Sequence, residues 1–329
     1  MKKIILFLFA LLIFASPVFA ASYYGCASAA INADSTFCAT PSGSCAGSDP
    51  VTAATALAGT HTLYANGCTV SIPDSFTATA ISNADGDGAG AAVGGGGYTL
   101  DTGTVSGKTI TADVTAGGTA TACLTISGAG AGTPVDTIVG TVTGGTVNSA
   151  TGVTDTHTVG TIALTGSAVS GGASTASGYY VTGTGPVTIS GSCTSNSAAA
   201  GCVTYVNNGS GITIAGDCIG SQTGVGVGCW GLTYTTTVLT VSGNLINGLK
   251  GGAISGPVLW TPVANTNYAL FPKDASYTRG TVDAHAIMCP ATNSALGGIT
   301  TVTNFLAGVT YGTLTGTASS GSGGGSWGF

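Results

Sequence analysis

A hard divalent cation needs oxygen donors at alternate positions of a tight turn, and Asn83-Ala-Asp85-Gly-Asp87-Gly88 spaces them that way. Asn83, Asp85 and Asp87 are therefore candidate calcium ligands. Position twelve of the loop is Gly94, where such sites carry a bidentate acid, and the same residues also suit an Asx/Gly turn without an ion. A second concentration of ionisable groups, Lys273, Asp274, Arg279, Asp283 and His285, falls within thirteen residues. Paired acids and bases can protonate and deprotonate a glycosidic bond; in a solvated loop the same groups are exposed ion pairs of little energetic weight. His61 and His157 stand among Thr, Ala and Gly with no cysteine or acid at metal-ligand spacing, and read as surface or turn residues. Serines and threonines abound, but no nucleophile elbow accompanies them.

Cysteine chemistry depends on the compartment, and the N-terminus indicates which one. Met1-Lys2-Lys3 is basic, Ile4 to Phe14 is apolar, Ser16-Pro17 breaks the run, and Val18-Phe19-Ala20 places small residues before Ala21. This is the pattern of a bacterial export signal over residues 1–20, cut ahead of Ala21. The expected location is extracellular or at the cell surface. The apolar run is too short for a transmembrane span, and no other stretch is long enough. Ten cysteines, none at CxxC spacing and none with a nearby histidine to complete a zinc site, then read as up to five disulfides in an oxidising space.

Composition narrows the partners. After the cut, Lys108, Lys250, Lys273 and Arg279 face twelve aspartates and no glutamate, a formal charge of −8. So few cations cannot neutralise a phosphate backbone or an anionic bilayer, which excludes nucleic acid as a main partner. Charged residues make up 5% of the chain and glycine 56 positions. Val, Ile and Thr are nonetheless abundant, and their branched Cβ favours pleated strands over helix or disorder.

The elements that would position these residues announce themselves as a repeat. Apolar-x-apolar-x-Gly recurs at Ile162-Ala-Leu164-Thr-Gly166, Val187-Thr-Ile189-Ser-Gly191, Ile212-Thr-Ile214-Ala-Gly216 and Leu239-Thr-Val241-Ser-Gly243, in steps of 25, 25 and 27 residues. Weaker copies lie at Leu124-Thr-Ile126-Ser-Gly128 and Val139 to Gly144, with Val105-Ser-Gly107 as a first one. A second strand opens after glycine at Tyr179–Val181, Cys202–Tyr205, Cys229–Leu232 and Pro257–Trp260. Short strands at a fixed step of this size predict an all-β parallel β-helix, or β-solenoid, in which alternate residues stack on their equivalents and glycine forms left-handed or bulged corners. The alternative is an antiparallel β-sandwich, which also has many short glycine-bounded strands.

The repeat resembles right-handed parallel β-helix bacterial surface proteins of the adhesin type. The likeness is architectural, over about residues 100–265, and transfers chemistry to no residue. The expected organisation is a disulfide-rich N-terminal cap at 21–75, solenoid repeats at 76–265, a C-terminal cap with further strands at 266–317, and a flexible Gly/Ser tail at 318–329.

Within that frame Cys193 and Cys218 hold one slot of consecutive repeats, and Cys202 and Cys229 hold another. Vertical disulfides Cys193–Cys218 and Cys202–Cys229 are expected; the rival pairs, Cys193–Cys202 and Cys218–Cys229, would suit a hairpin sheet. Tyr179, Tyr180, Tyr205, Trp230, Tyr234 and Trp260 recur on the second strand, either to stack on sugar rings or to fill the core. The functional expectation is a secreted structural or adhesive protein, not an enzyme and without cofactor unless calcium binds. It would self-associate or contact a cell surface or glycan. The alternative is a carbohydrate-active β-helix enzyme, lyase or hydrolase, or a glycan-binding module.

Overall fold

The chain is seen as a computed structural model. It describes residues 20–246 except 85–95, 103–106, 130–134, 174, 197–200, 206–210, 222–225 and 232–238, plus backbone strands at 254–255, 258–260, 268–272, 286–290, 310–311 and 314–315.

Five successive turns carry the same three strands. The first has Leu124–Ser127, Val135–Val139 and Val142–Thr143; the second has Val153–Asp155, Thr161–Thr165 and Ala168–Val169. Tyr179–Val181, Val187–Ile189 and Cys193–Thr194 make the third, and Val203–Tyr205, Ile212–Ile214 and Cys218–Ile219 the fourth. Cys229–Gly231, Leu239–Val241 and Leu245–Ile246 complete the fifth. The leading strand of each turn joins an eight-stranded sheet, and the other two join a nineteen-stranded sheet. From turn to turn every pairing is parallel and in register. This is the β-solenoid, and the parallel register excludes the antiparallel sandwich.

The core lies between the two sheets. Ile138, Leu164, Ile189, Ile214 and Val241 form one inward column. Leu124, Val153, Tyr179, Val203 and Cys229 form a column on the facing wall. All ten are buried. Alternation then turns Thr137, Ala163, Thr188, Thr213 and Thr240 outward in a single uncharged row.

Both ends of the parallel stack give way to antiparallel pairing, which covers an edge that could otherwise recruit another strand. At the N-terminal end, Ser22–Gly25 pairs parallel with Thr62–Tyr64 on one side and antiparallel with the hairpin strand Phe37–Gly43 on the other. Disulfides Cys26–Cys38 and Cys45–Cys68 tie this hairpin down. Asn66 donates to the carbonyls of Gly25 and Gly43 across the same junction. The first parallel rungs, Thr62–Tyr64 and Thr69–Ser71, already lie within the 21–75 segment. At the other end, Tyr268–Pro272 pairs parallel with Leu245–Ile246 and antiparallel with Ala286–Pro290.

Two assignments of the repeat need correction. Leu124–Ser127 belongs to the eight-stranded sheet, not to the wall that holds Ile162 and Val187. Both walls need the same apolar-x-apolar alternation, so the pattern cannot distinguish them. Val258–Trp260, expected on the second wall, pairs with Leu239–Val241 on the first, and Ile254–Ser255 takes the second-wall place. Val105 lies outside the described residues.

The corner glycines also act differently than expected. Gly140, Gly166, Gly191, Gly216 and Gly243 stack, and a Cβ on each of the last four would fall 2.0–2.3 Å from the carbonyl oxygen of the glycine one turn before. Only Gly140 of the five has a positive φ, 152°. Close backbone approach, rather than a left-handed conformation, excludes side chains from this column. Gly191→Ala should therefore destabilise the fold by about 1–3 kcal/mol or more through overpacking. Gly118→Ala, with nothing within 4 Å of the new methyl, should change stability by less than about 0.5 kcal/mol in the same denaturant titration.

Candidate functional site

Asn83 is buried, and its side chain clamps one turn to another. Its Nδ2 donates to the Thr121 carbonyl at 3.1 Å, and its Oδ1 accepts the Gly117 N–H at 2.6 Å. The oxygen expected to face calcium thus accepts a backbone N–H. Asp85 and Asp87 lie outside the described residues, as do Lys273, Asp274, Arg279, Asp283 and His285.

His61 and His157 are not surface residues. His61 is buried, accepts the Ala21 backbone N–H on Nδ1 at 3.0 Å, and meets the Tyr23 ring edge-on at 5.0 Å. It thereby fixes the residue at which the expected export cut falls. His157 is fully buried, with Nδ1 2.5 Å from Asp155 Oδ1. Tyr179 donates its hydroxyl to Asp155 Oδ2 at 2.7 Å from the next turn. Burial first, and then the Asp155 charge and hydrogen bond, hold the Tyr179 phenol well above its usual range, so it remains a donor.

This Asp155–His157–Tyr179 cluster has the orientation of an acid–base relay, but it lies in the core. Asp155 occupies an inward position between Ile126 and Val181. His157 Nε2 has no hydrogen-bond partner among the described residues, and a Cβ on Gly185 would sit 2.0 Å from it, so the backbone of that turn covers the ring. Both side chains are fully buried, so the pair is a core contact. The signal missed in the sequence is Asp155-x-His157, an acid and a base two residues apart at the end of an inward-facing strand, with Tyr179 one repeat later.

Lys108 is a second buried ionisable residue. Its ammonium donates to the carbonyls of Asp101 and Ile72 at 3.0 and 3.4 Å, and its backbone N–H donates to Asp136 Oδ1 at 2.5 Å. Beside it opens a surface notch of about 230 Å³, lined by Ser71, Pro73, Thr99, Asp101, Lys108 and Ser127 among others. Ser71, Thr99, Ser127 and Asp101 supply its polar lining beside Ile72 and Pro73, while the Lys108 ammonium is engaged by the two carbonyls.

The aromatic row is divided. Tyr179 faces the core, whereas Tyr180 and Trp230 project outward and are half-buried. Between them in register lies Thr204, itself buried and bonded through its hydroxyl to Ser177 at 2.8 Å, so no continuous aromatic strip forms there. Tyr24 and Tyr64 do stack, at 5.4 Å and 13°, on adjacent rungs near the cap. The side chains of Tyr205, Tyr234 and Trp260 lie outside the described residues.

The vertical disulfides are overturned. Cys193 and Cys218 are register partners as expected, yet Cys218 bonds Cys229, the first residue of the leading strand that follows it, with a Cα–Cα distance of 5.7 Å. Neighbours in a parallel register send their Cβ atoms in the same direction, which keeps them about 4.8 Å apart, beyond the roughly 3.5–4.5 Å a disulfide tolerates. Residues on facing walls point their Cβ atoms at each other, so pairing between cysteines close in sequence belongs to a β-helix and not only to a hairpin sheet. Cys202 is also one position out of line with Cys229: Val203 is the true register partner, and Cys202 stands opposite Gly228.

No protein-family model, no curated protein and no solved structure matches this chain. Among the described residues no helix is long and apolar enough to cross a membrane. The chemistry must therefore be judged from the geometry alone. Tyr179→Phe should leave the buried Asp155 carboxylate short of a donor and cost about 1–3 kcal/mol of stability. Tyr180→Phe, on the outward side of the same strand, should cost less than about 0.5 kcal/mol in the same unfolding measurement.

Proposed function

We propose that this is an exported structural or adhesive protein that works outside the cell by lateral self-association through one wall of its solenoid. The observation that carries this reading is the outward row Thr137, Ala163, Thr188, Thr213 and Thr240. One short uncharged side chain per turn makes a regular surface on which a second copy can lie in register, and so few charges leave little to repel it. The export signal read from residues 1–20 and the disulfides of the cap and solenoid fit an oxidising, extracellular setting. A second reading, carbohydrate binding or processing, has the Lys108 notch and the Tyr24–Tyr64 stack in its favour; retention on immobilised polysaccharide, lost in Asp101→Asn, would support it.

Self-association is tested by sedimentation and electron microscopy of the purified exported protein. The wild type should form concentration-dependent lateral assemblies. Thr188→Lys with Thr240→Lys places two like charges on the row, two turns apart, and should shift the protein to monomer with its unfolding midpoint nearly unchanged. A wild type that is monomeric throughout, or assemblies unaffected by the lysines, would remove the reading.

A further inference from the structure

Four of the chain's cysteines meet in one buried place. Cys218 and Cys229 are bonded, while Cys193 and Cys202 carry thiols. The sulfurs of Cys193, Cys202 and Cys229 all lie within 4.8 Å of one another. The Cys202 thiol shares a hydrogen bond with Cys193, and burial above all holds it well above its usual range.

The corner that precedes each leading strand explains why Cys202 arrives there. By the register Val153–Tyr179–Val203–Cys229, that corner is Gly152, Gly178, Cys202 and Gly228 in successive turns. Glycine is demanded at Gly178 because a Cβ would sit 2.6–3.0 Å from the Val169 backbone on the facing wall. One turn on, the equivalent of Val169 is Thr194, next to Cys193. A real side chain at Cys202 is therefore carried across the seam to Cys193. In the following turn Cys218, the register partner of Cys193, bonds Cys229 across the same seam. The two junctions share their first cysteine position, while the second sits in the corner at Cys202 and one position later, in the strand, at Cys229, at sequence separations of nine and eleven residues.

We propose that Cys193 and Cys202 close a second disulfide stacked on Cys218–Cys229, so that two consecutive junctions between turns are each sealed across the core. The bond forms when both thiols give up their protons and two electrons pass to the disulfide of an exchanging partner, which leaves as two thiols. The natural oxidant is a disulfide-bearing thiol oxidoreductase or a low-molecular-weight disulfide outside the cytoplasm. In this the proposal rests on the export reading above.

The test separates the two ideas. The purified full-length chain is equilibrated with oxidised glutathione, alkylated in denaturant without reduction, and cleaved before aspartate. That cut places Cys193 and Cys202 on fragment 155–216, and Cys218 and Cys229 on fragment 217–273. Fragment 155–216 should emerge unlinked, unalkylated and two hydrogens lighter than its reduced form, and Cys193→Ser should make Cys202 alkylatable. Two alkylated thiols on 155–216, a glutathione adduct, or a 155–216 to 217–273 crosslink would overturn the proposal, as would zinc co-purifying with both thiols. The cap pairs Cys26–Cys38 and Cys45–Cys68 are the internal control. If they are closed while Cys193 and Cys202 label, only the proposal fails. If they are reduced in freshly exported protein, the compartment reading fails, and the glutathione-treated sample still decides the Cys193–Cys202 bond.

Discussion

A residue in the middle of this chain rests on the residue about twenty-five positions before it, because parallel strands in register place equivalent atoms one strand spacing apart. Everything else in the structure answers to that stacking. A column tolerates only what its neighbours above and below leave room for. Apolar branched residues therefore follow one another inward, short hydroxyls follow one another outward, and glycine follows glycine where two backbones touch. The same rule explains the ends: a stack of parallel strands has no natural stop, and here antiparallel partners supply one at each end.

Polar groups enter the core only where the stack provides a partner. Asp155 is admitted because His157 and Tyr179 bond both of its oxygens, one from its own turn and one from the next. Asn83 is admitted because it fastens a loop to the turn beyond. Sulfur is admitted across the seam, where facing walls let it bond. Each of these groups ties one turn to another or one wall to the other, in a chain whose surface has few charges with which to do so.

The architecture was legible because two periods coincide: alternation within Val187-Thr-Ile189 and a near-constant step to Ile212 and Leu239. Where either period failed, the reading failed. Val258 follows Leu239 after nineteen residues, so it was put on the wrong wall, and Leu124-Thr-Ile126 has the right alternation on the other wall. Cys202 is displaced one residue from Cys229, into the corner before the strand, a slip that no spacing argument registers. The spacing that makes Asn83 a calcium candidate is local, whereas the contacts its side chain makes come from residues 34 to 38 positions away. The Asp155–His157 pair is local, but the Tyr179 hydroxyl that joins Asp155 is visible only once the next turn is laid on top.

In-register stacking makes distance along the outward row additive, and a distance measurement tests this directly. Spin labels attached through non-natural residues leave the cysteines untouched. Thr109 and Thr240 lie five rungs apart through Thr137, Ala163, Thr188 and Thr213. Electron–electron double resonance should place the Thr109/Thr240 pair about 24 Å apart and the Thr137/Thr240 pair about 19 Å apart, one strand spacing less. Equal distances for the two pairs, or a Thr109/Thr240 distance shorter than that of Thr137/Thr240, would contradict a parallel solenoid.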